Sequence, residues 1–137
     1  MQEIPRRYTK YELLDKNYET IAIICKTSKE ALDTYNSLKD EGIDMELITS
    51  DNKEYKGKLF VTTAALSKGL EFDSVIIKDA SNNIYSINNK QDMHLLYVAC
   101  TRALHELIIL YNKKLCEVFG NEEELNIEKN NYLVLKR

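Results

Sequence analysis

The stretch Val61-Thr62-Thr63-Ala64-Ala65-Leu66-Ser67-Lys68-Gly69-Leu70-Glu71-Phe72-Asp73-Ser74-Val75-Ile76-Ile77 decides the fold. It reads as the end of one strand, a polar loop around Gly69, and a second strand rich in β-branched residues. Ser67 to Glu71 then fall at strand ends, where ligands gather in open α/β sheets. A second segment, Leu96-Tyr97-Val98-Ala99-Cys100-Thr101-Arg102-Ala103, reads as the end of a helix running from Gln91 to Ala103. It holds Arg102 among apolar neighbours, a costly placement unless the guanidinium meets an anion or a carboxylate. Two readings of Arg102 follow: a ligand's phosphate, or an internal ion pair with Glu71 or Asp79.

Working outward, Ile21-Ala22-Ile23-Ile24-Cys25 is a short apolar run suited to a strand covered on both faces. Ser28 offers an N-cap. Ala31, Leu32, Tyr35 and Leu38 then recur at helical spacing until Gly42, a C-terminal stop. Met45 to Ile48 predicts a second strand, Ser50 to Gly57 a charged turn, Lys58 to Thr62 a third strand and residues 73–79 a fourth. After an asparagine-marked connection and the helix that carries Arg102, Leu107 to Tyr111 predicts a last buried strand. Strands alternating with helices imply an α/β domain with a mostly parallel sheet. Residues 1–19 read as a lead-in segment or a severed connection to something upstream, 20–120 as the domain, and 121–137 as a tail. Within that tail, Tyr132 to Leu135 could supply an edge strand.

Composition narrows the function classes. The 137 residues carry 19 basic and 22 acidic side chains, a net charge of −3, so contact with a polyanion must be local. No apolar run reaches the ~18 residues of a membrane span, and the first residues lack an apolar leader core. Cys25, Cys100 and Cys116 are odd in number and widely spaced in apolar segments. That suits reduced core thiols and a cytoplasmic location.

The loop from Thr62 to Glu71 has the chemistry for a nucleotide. Hydroxyls on Thr62, Thr63 and Ser67, the Lys68 cation and backbone amides suit phosphate oxygens, and the Glu71 carboxylate suits sugar hydroxyls. Gly69 permits positive φ or close backbone approach, although an ordinary turn would also explain it. None of the four glycines stands in Gly-x-x-x-x-Gly-Lys-Ser/Thr, so the chain has no phosphate cradle of that type. Asp40-Glu41 closes an amphipathic helix and reads as a solvated helix end. His94 and His105 read as surface or packing residues on a helix flank, without a ligand partner at metal spacing.

The strings Thr62-Thr63-Ala64-Ala65-Leu66-Ser67-Lys68-Gly69-Leu70-Glu71-Phe72 and Leu96-Tyr97-Val98-Ala99-Cys100-Thr101-Arg102-Ala103 resemble motifs V and VI of UvrD/Rep-type superfamily 1 helicases. The resemblance covers residues 20 to 112 and is closest to the HelD-like branch of ATPases associated with RNA polymerase. It implies a RecA-like lobe of the P-loop NTPase fold, the second motor lobe, without its own P-loop. It further implies that ATP with Mg2+ is held on a separate N-terminal lobe. Arg102 would reach the γ-phosphate, Glu71 the ribose, Gly69 would let the loop approach, and Lys26, at the motif IV position, would face the same phosphate. Thr62, Thr63 and Ser67 would contact single-stranded DNA. Two departures stand out: Lys26 replaces an arginine and lacks its bidentate fork, and Ala64-Ala65-Leu66 replaces polar residues, which favours RNA polymerase over DNA as main partner. On this resemblance the intact parent is an ATP-dependent DNA helicase and the isolated chain is inactive. The alternatives are a HelD-like remodeller of RNA polymerase and a noncatalytic α/β interaction module. A flavodoxin-like or Rossmann domain lacks its glycine-rich first turn after Cys25.

Overall fold

Ile21-Ala22-Ile23-Ile24-Cys25 forms the central strand because both of its faces are apolar and both are covered. The computed structural model describes residues 18–51, 55–121 and 132–136. In chain order the elements are β1 (Ile21–Cys25), α1 (Ser28–Asp40), β2 (Glu46–Leu47), β3 (Leu59–Thr63), β4 (Phe72–Ile77), α2 (Lys90–Cys100), β5 (Ala103–Leu110), a 3-10 turn (Glu117–Phe119) and β6 (Tyr132–Lys136). The sheet order is β2-β3-β1-β4-β5-β6, parallel throughout except for β6, which pairs antiparallel with β5 at the edge.

Strand alternation divides the core in two. Ala22, Ile24, Phe60, Val75, Ile77 and Ile109 pack with Leu96 and Ala99 of α2. Ile21, Ile23, Val61, Ile76 and Ile108 pack with Ala31 and Leu38 of α1. Among the described residues each face of the sheet thus carries one helix, the layering expected for an α/β lobe. Cys25 and Cys116 are buried in these cores and Cys100 is half-buried. No helix among the described residues is long and apolar enough to cross a membrane.

Several expectations shift. Thr27, not Ser28, caps α1: its backbone is extended and its hydroxyl accepts the Glu30 N–H at 3.2 Å. At the other end Gly42 takes φ 81° and donates its N–H to Lys39, the positive-φ stop expected of it. The predicted helix to Ala103 ends at Cys100, with Thr101 as its cap and Arg102 in the turn that follows. The reason is competition from the sheet: the Arg102 carbonyl accepts the Phe72 N–H at 2.9 Å, so the chain joins β4 and starts β5 at Ala103. His105 consequently stands on a strand, 3.8 Å from Asp73 and stacked on Tyr18, rather than on a helix flank. Tyr97 is 68% exposed, whereas Leu96, Val98 and Ala99 are buried. Tyr132 to Lys136 is an edge strand, so the sheet extends past residue 120. Residues 1–17, 52–54, 122–131 and 137 lie outside the described residues, and with them most of the lead-in segment.

Candidate functional site

Two groups of the residues singled out in the sequence come together, and they do so at different ends of the strands. β4 starts at Phe72 and β5 at Ala103, and these two residues are partners in register. Immediately before them stand Gly69-Leu70-Glu71 and Thr101-Arg102, side by side at the strand-start edge and not at the carboxyl ends where ligands gather in open α/β sheets. Arg102 donates from Nη1 to the Leu70 carbonyl at 3.3 Å, from Nε to the Val98 carbonyl at 3.1 Å and from Nη2 to Thr101 Oγ1 at 3.2 Å. Its guanidinium is half-buried and, among the described residues, pairs with no carboxylate. The internal ion pair with Glu71 or Asp79 is therefore not formed. The cation instead rests on carbonyl and hydroxyl oxygens.

Glu71 is exposed beside it and has no hydrogen bond or ion pair among the described residues. Gly69 takes φ 82°, and nothing lies within 4 Å of where a side-chain carbon would stand. The glycine is thus needed for its backbone conformation and leaves an open approach to the loop. Lys68 is exposed on the same loop.

The three hydroxyls face the protein instead. Thr63 Oγ1 accepts the Leu66 N–H at 3.2 Å, and Ser67 Oγ donates to the Ala64 carbonyl at 2.7 Å. Thr62 is fully buried and its Oγ1 has no hydrogen-bond partner. These groups shape the eight-residue passage from β3 to β4, which packs Ala64 and Ser67 against the sheet. Ser67 spends its donor on the Ala64 carbonyl, and Thr62 is closed off from the surface.

Lys26 lies at the far end of the strands. It follows Cys25, the partner of Thr63, and Ile24 is in register with Ile77, the last residue of β4. The five steps from Phe72 to Ile77 correspond to ~16 Å along the strands, so Lys26 is not brought to Arg102 and Glu71. Its ammonium pairs with Asp92 Oδ1 at 2.8 Å, donates to the Ile84 carbonyl and lies 5.4 Å from the Tyr85 ring centre. The Asp92 carboxyl is held below the usual carboxylate range, first by the hydrogen bond from Lys26 and then by the Ser86 amide. Sequence reading passed over Asp92. The signal was there in Asn89, a capping residue three positions before an acidic one.

The fold and this strand-start edge define an α/β lobe of RecA-like architecture that presents an arginine and a glutamate but has no phosphate cradle of its own. Residues 47–114 match the model of the UvrD-like helicase C-terminal domain. It is similar to the solved C-terminal domain of a possible DNA helicase from Lactobacillus plantarum WCFS1, with 34% identity and a TM-score of 0.65 over 75% of this chain and 62% of that one. It is also 39% identical over 67 residues to Gabija protein GajB of Bacillus cereus (strain VD045), covering 49% of this chain and 13% of GajB. The chain therefore spans less than two thirds of either relative. Neither relative points to the HelD-like branch.

Proposed function

We propose that this chain is the second motor lobe of an ATP-dependent superfamily 1 DNA helicase or translocase, acting on ATP held by a separate N-terminal lobe. The observation that carries the reading is the convergence of Arg102 with Gly69-Leu70-Glu71 at one sheet edge, the arginine resting on the Leu70 carbonyl without a carboxylate partner. Arg102 stabilises the charge that develops as the terminal phosphoryl passes to water. Glu71 accepts the ribose hydroxyls, and Gly69 leaves the approach open. Magnesium belongs to the other lobe in this reading. Single-stranded DNA meets the loop through its exposed residues, Ala65 and Lys68, rather than through the inward-turned hydroxyls.

The test is ATP turnover by the intact motor, wild type against Arg102→Ala, with and without single-stranded DNA. A loss of about a hundredfold in kcat, the scale of one transition-state donor, with the fold intact supports the reading. Undiminished turnover overturns it in favour of an α/β interaction module.

A further inference from the structure

The Lys26–Asp92 pair sits between two elements whose relative position matters to Arg102. At the strand-end edge, Lys26 leaves β1 and its ammonium reaches Asp92, the third residue of α2, at 2.8 Å. The same carboxylate accepts the Ser86 N–H at 3.0 Å on its other oxygen, and the Asp92 N–H donates to Asn89 Oδ1 at 3.0 Å. The lysine also donates to the Ile84 carbonyl. One ion pair therefore ties the end of β1, the turn at 84–86 and the first turn of α2. The two side chains are 25% and 15% exposed, so solvent weakens this contact only in part.

At the other end of the same helix, Arg102 Nε and Thr101 Oγ1 both donate to the Val98 carbonyl, at 3.1 and 3.0 Å. The pose of the guanidinium is thus referred to the last turn of α2. The helix has 11 residues and runs ~16 Å, matching the strand height between the two edges. Between its ends it buries Leu96, Val98 and Ala99. Apolar contacts are non-directional: they hold the helix on the sheet but set its position along its own axis weakly. Directed contacts at its two ends do that.

We infer that Lys26 and Asp92 are positioning residues for Arg102: their ion pair fixes the axial position of α2 and so the reach of the arginine at the opposite edge. The inference rests on the nucleotide reading of Arg102 given above. It also gives Lys26 a job in place of direct phosphate contact, from which ~16 Å of strand separates it.

The experiment measures kcat and KM for ATP in the intact motor for Lys26→Met, Asp92→Asn and Lys26→Arg, with Arg102→Ala as reference. Misplacing a catalytic group by about 1 Å costs up to ~100-fold, so both charge-removing variants are expected to lose kcat by about tenfold or more at unchanged KM. Lys26→Arg, which keeps the charge, retains turnover. Unchanged kcat in Lys26→Met and Asp92→Asn, with turnover lost in Arg102→Ala, overturns the inference and leaves the site intact. A raised KM at unchanged kcat in Lys26→Met also overturns it, because Lys26 would then touch the nucleotide itself. Full turnover in Arg102→Ala overturns the site reading and the inference with it.

Discussion

The Phe72 amide donates to the Arg102 carbonyl at 2.9 Å, so the strand that closes the Gly69 loop and the turn that carries the arginine begin from the same point. The two segments with the most specific sequences are thereby locked to each other by backbone. The arginine side chain then adds its own bond to Leu70. Arg102→Lys keeps the charge but loses the planar fork that spans the Leu70 carbonyl and the Thr101 hydroxyl. Steady-state turnover of the intact motor should recover only part of the loss seen in Arg102→Ala. Full recovery would mean that charge alone suffices.

Glu71 is solvent-exposed and unpaired among the described residues, so Glu71→Gln should leave unfolding free energy within about 0.5 kcal/mol of wild type. A ribose ligand predicts a rise in KM for ATP with the same variant. Equal KM values would remove Glu71 from the nucleotide site.

At Gly69 the φ of 82° comes with open space around the position of a side-chain carbon. Gly69→Ala should therefore cost about 1 kcal/mol of stability from backbone strain alone, with Gly69→Asn costing less. Urea unfolding of the lobe reads both, and an equal, near-zero cost would show that the turn relaxes.

Thr62 Oγ1 is buried without a partner. Thr62→Val replaces an unsatisfied hydroxyl by a methyl of similar shape and should raise stability by about 1 kcal/mol. DNA affinity should not change, because the side chain does not reach the surface. Weaker DNA binding by this variant would restore Thr62 to the nucleic-acid contacts expected from the sequence.

Burial pushes the thiols of Cys25 and Cys100 up to about 12. Iodoacetamide at pH 8 should label both slowly in the native lobe and rapidly in urea. The sign of the linkage follows: both groups are raised, so their stabilisation is fully present below the ordinary thiol value and is lost as pH rises toward about 12. Asp92 runs the other way. Its carboxyl is lowered by Lys26 and the Ser86 amide, so its contribution is present above the ordinary carboxylate range and disappears as pH falls through its folded value. The Tm difference between wild type and Asp92→Asn should accordingly vanish in acid, while Glu30, raised by burial, is common to both proteins and cancels.

The strand-helix alternation, the parallel α/β class and the two segments that meet at the strand-start edge are legible in the chain. Local signals were enough there: an apolar β-branched run at Ile21 to Cys25, helical spacing from Ala31 to Leu38, and a glycine where φ must be positive. Where the helix before Arg102 stops is set by a tertiary contact, because a hydrogen bond from Phe72, thirty positions away, outweighs the local preference to continue. Tertiary structure likewise turned the hydroxyls of Thr63 and Ser67 inward, since burying the passage from β3 to β4 requires partners for its own amides and carbonyls, and it buried Thr62 inside β3. It also set Lys26 apart from Arg102. Position along the chain does not say at which end of a parallel sheet a residue lies, and that depends on strand direction and register, which exist only once the strands have paired.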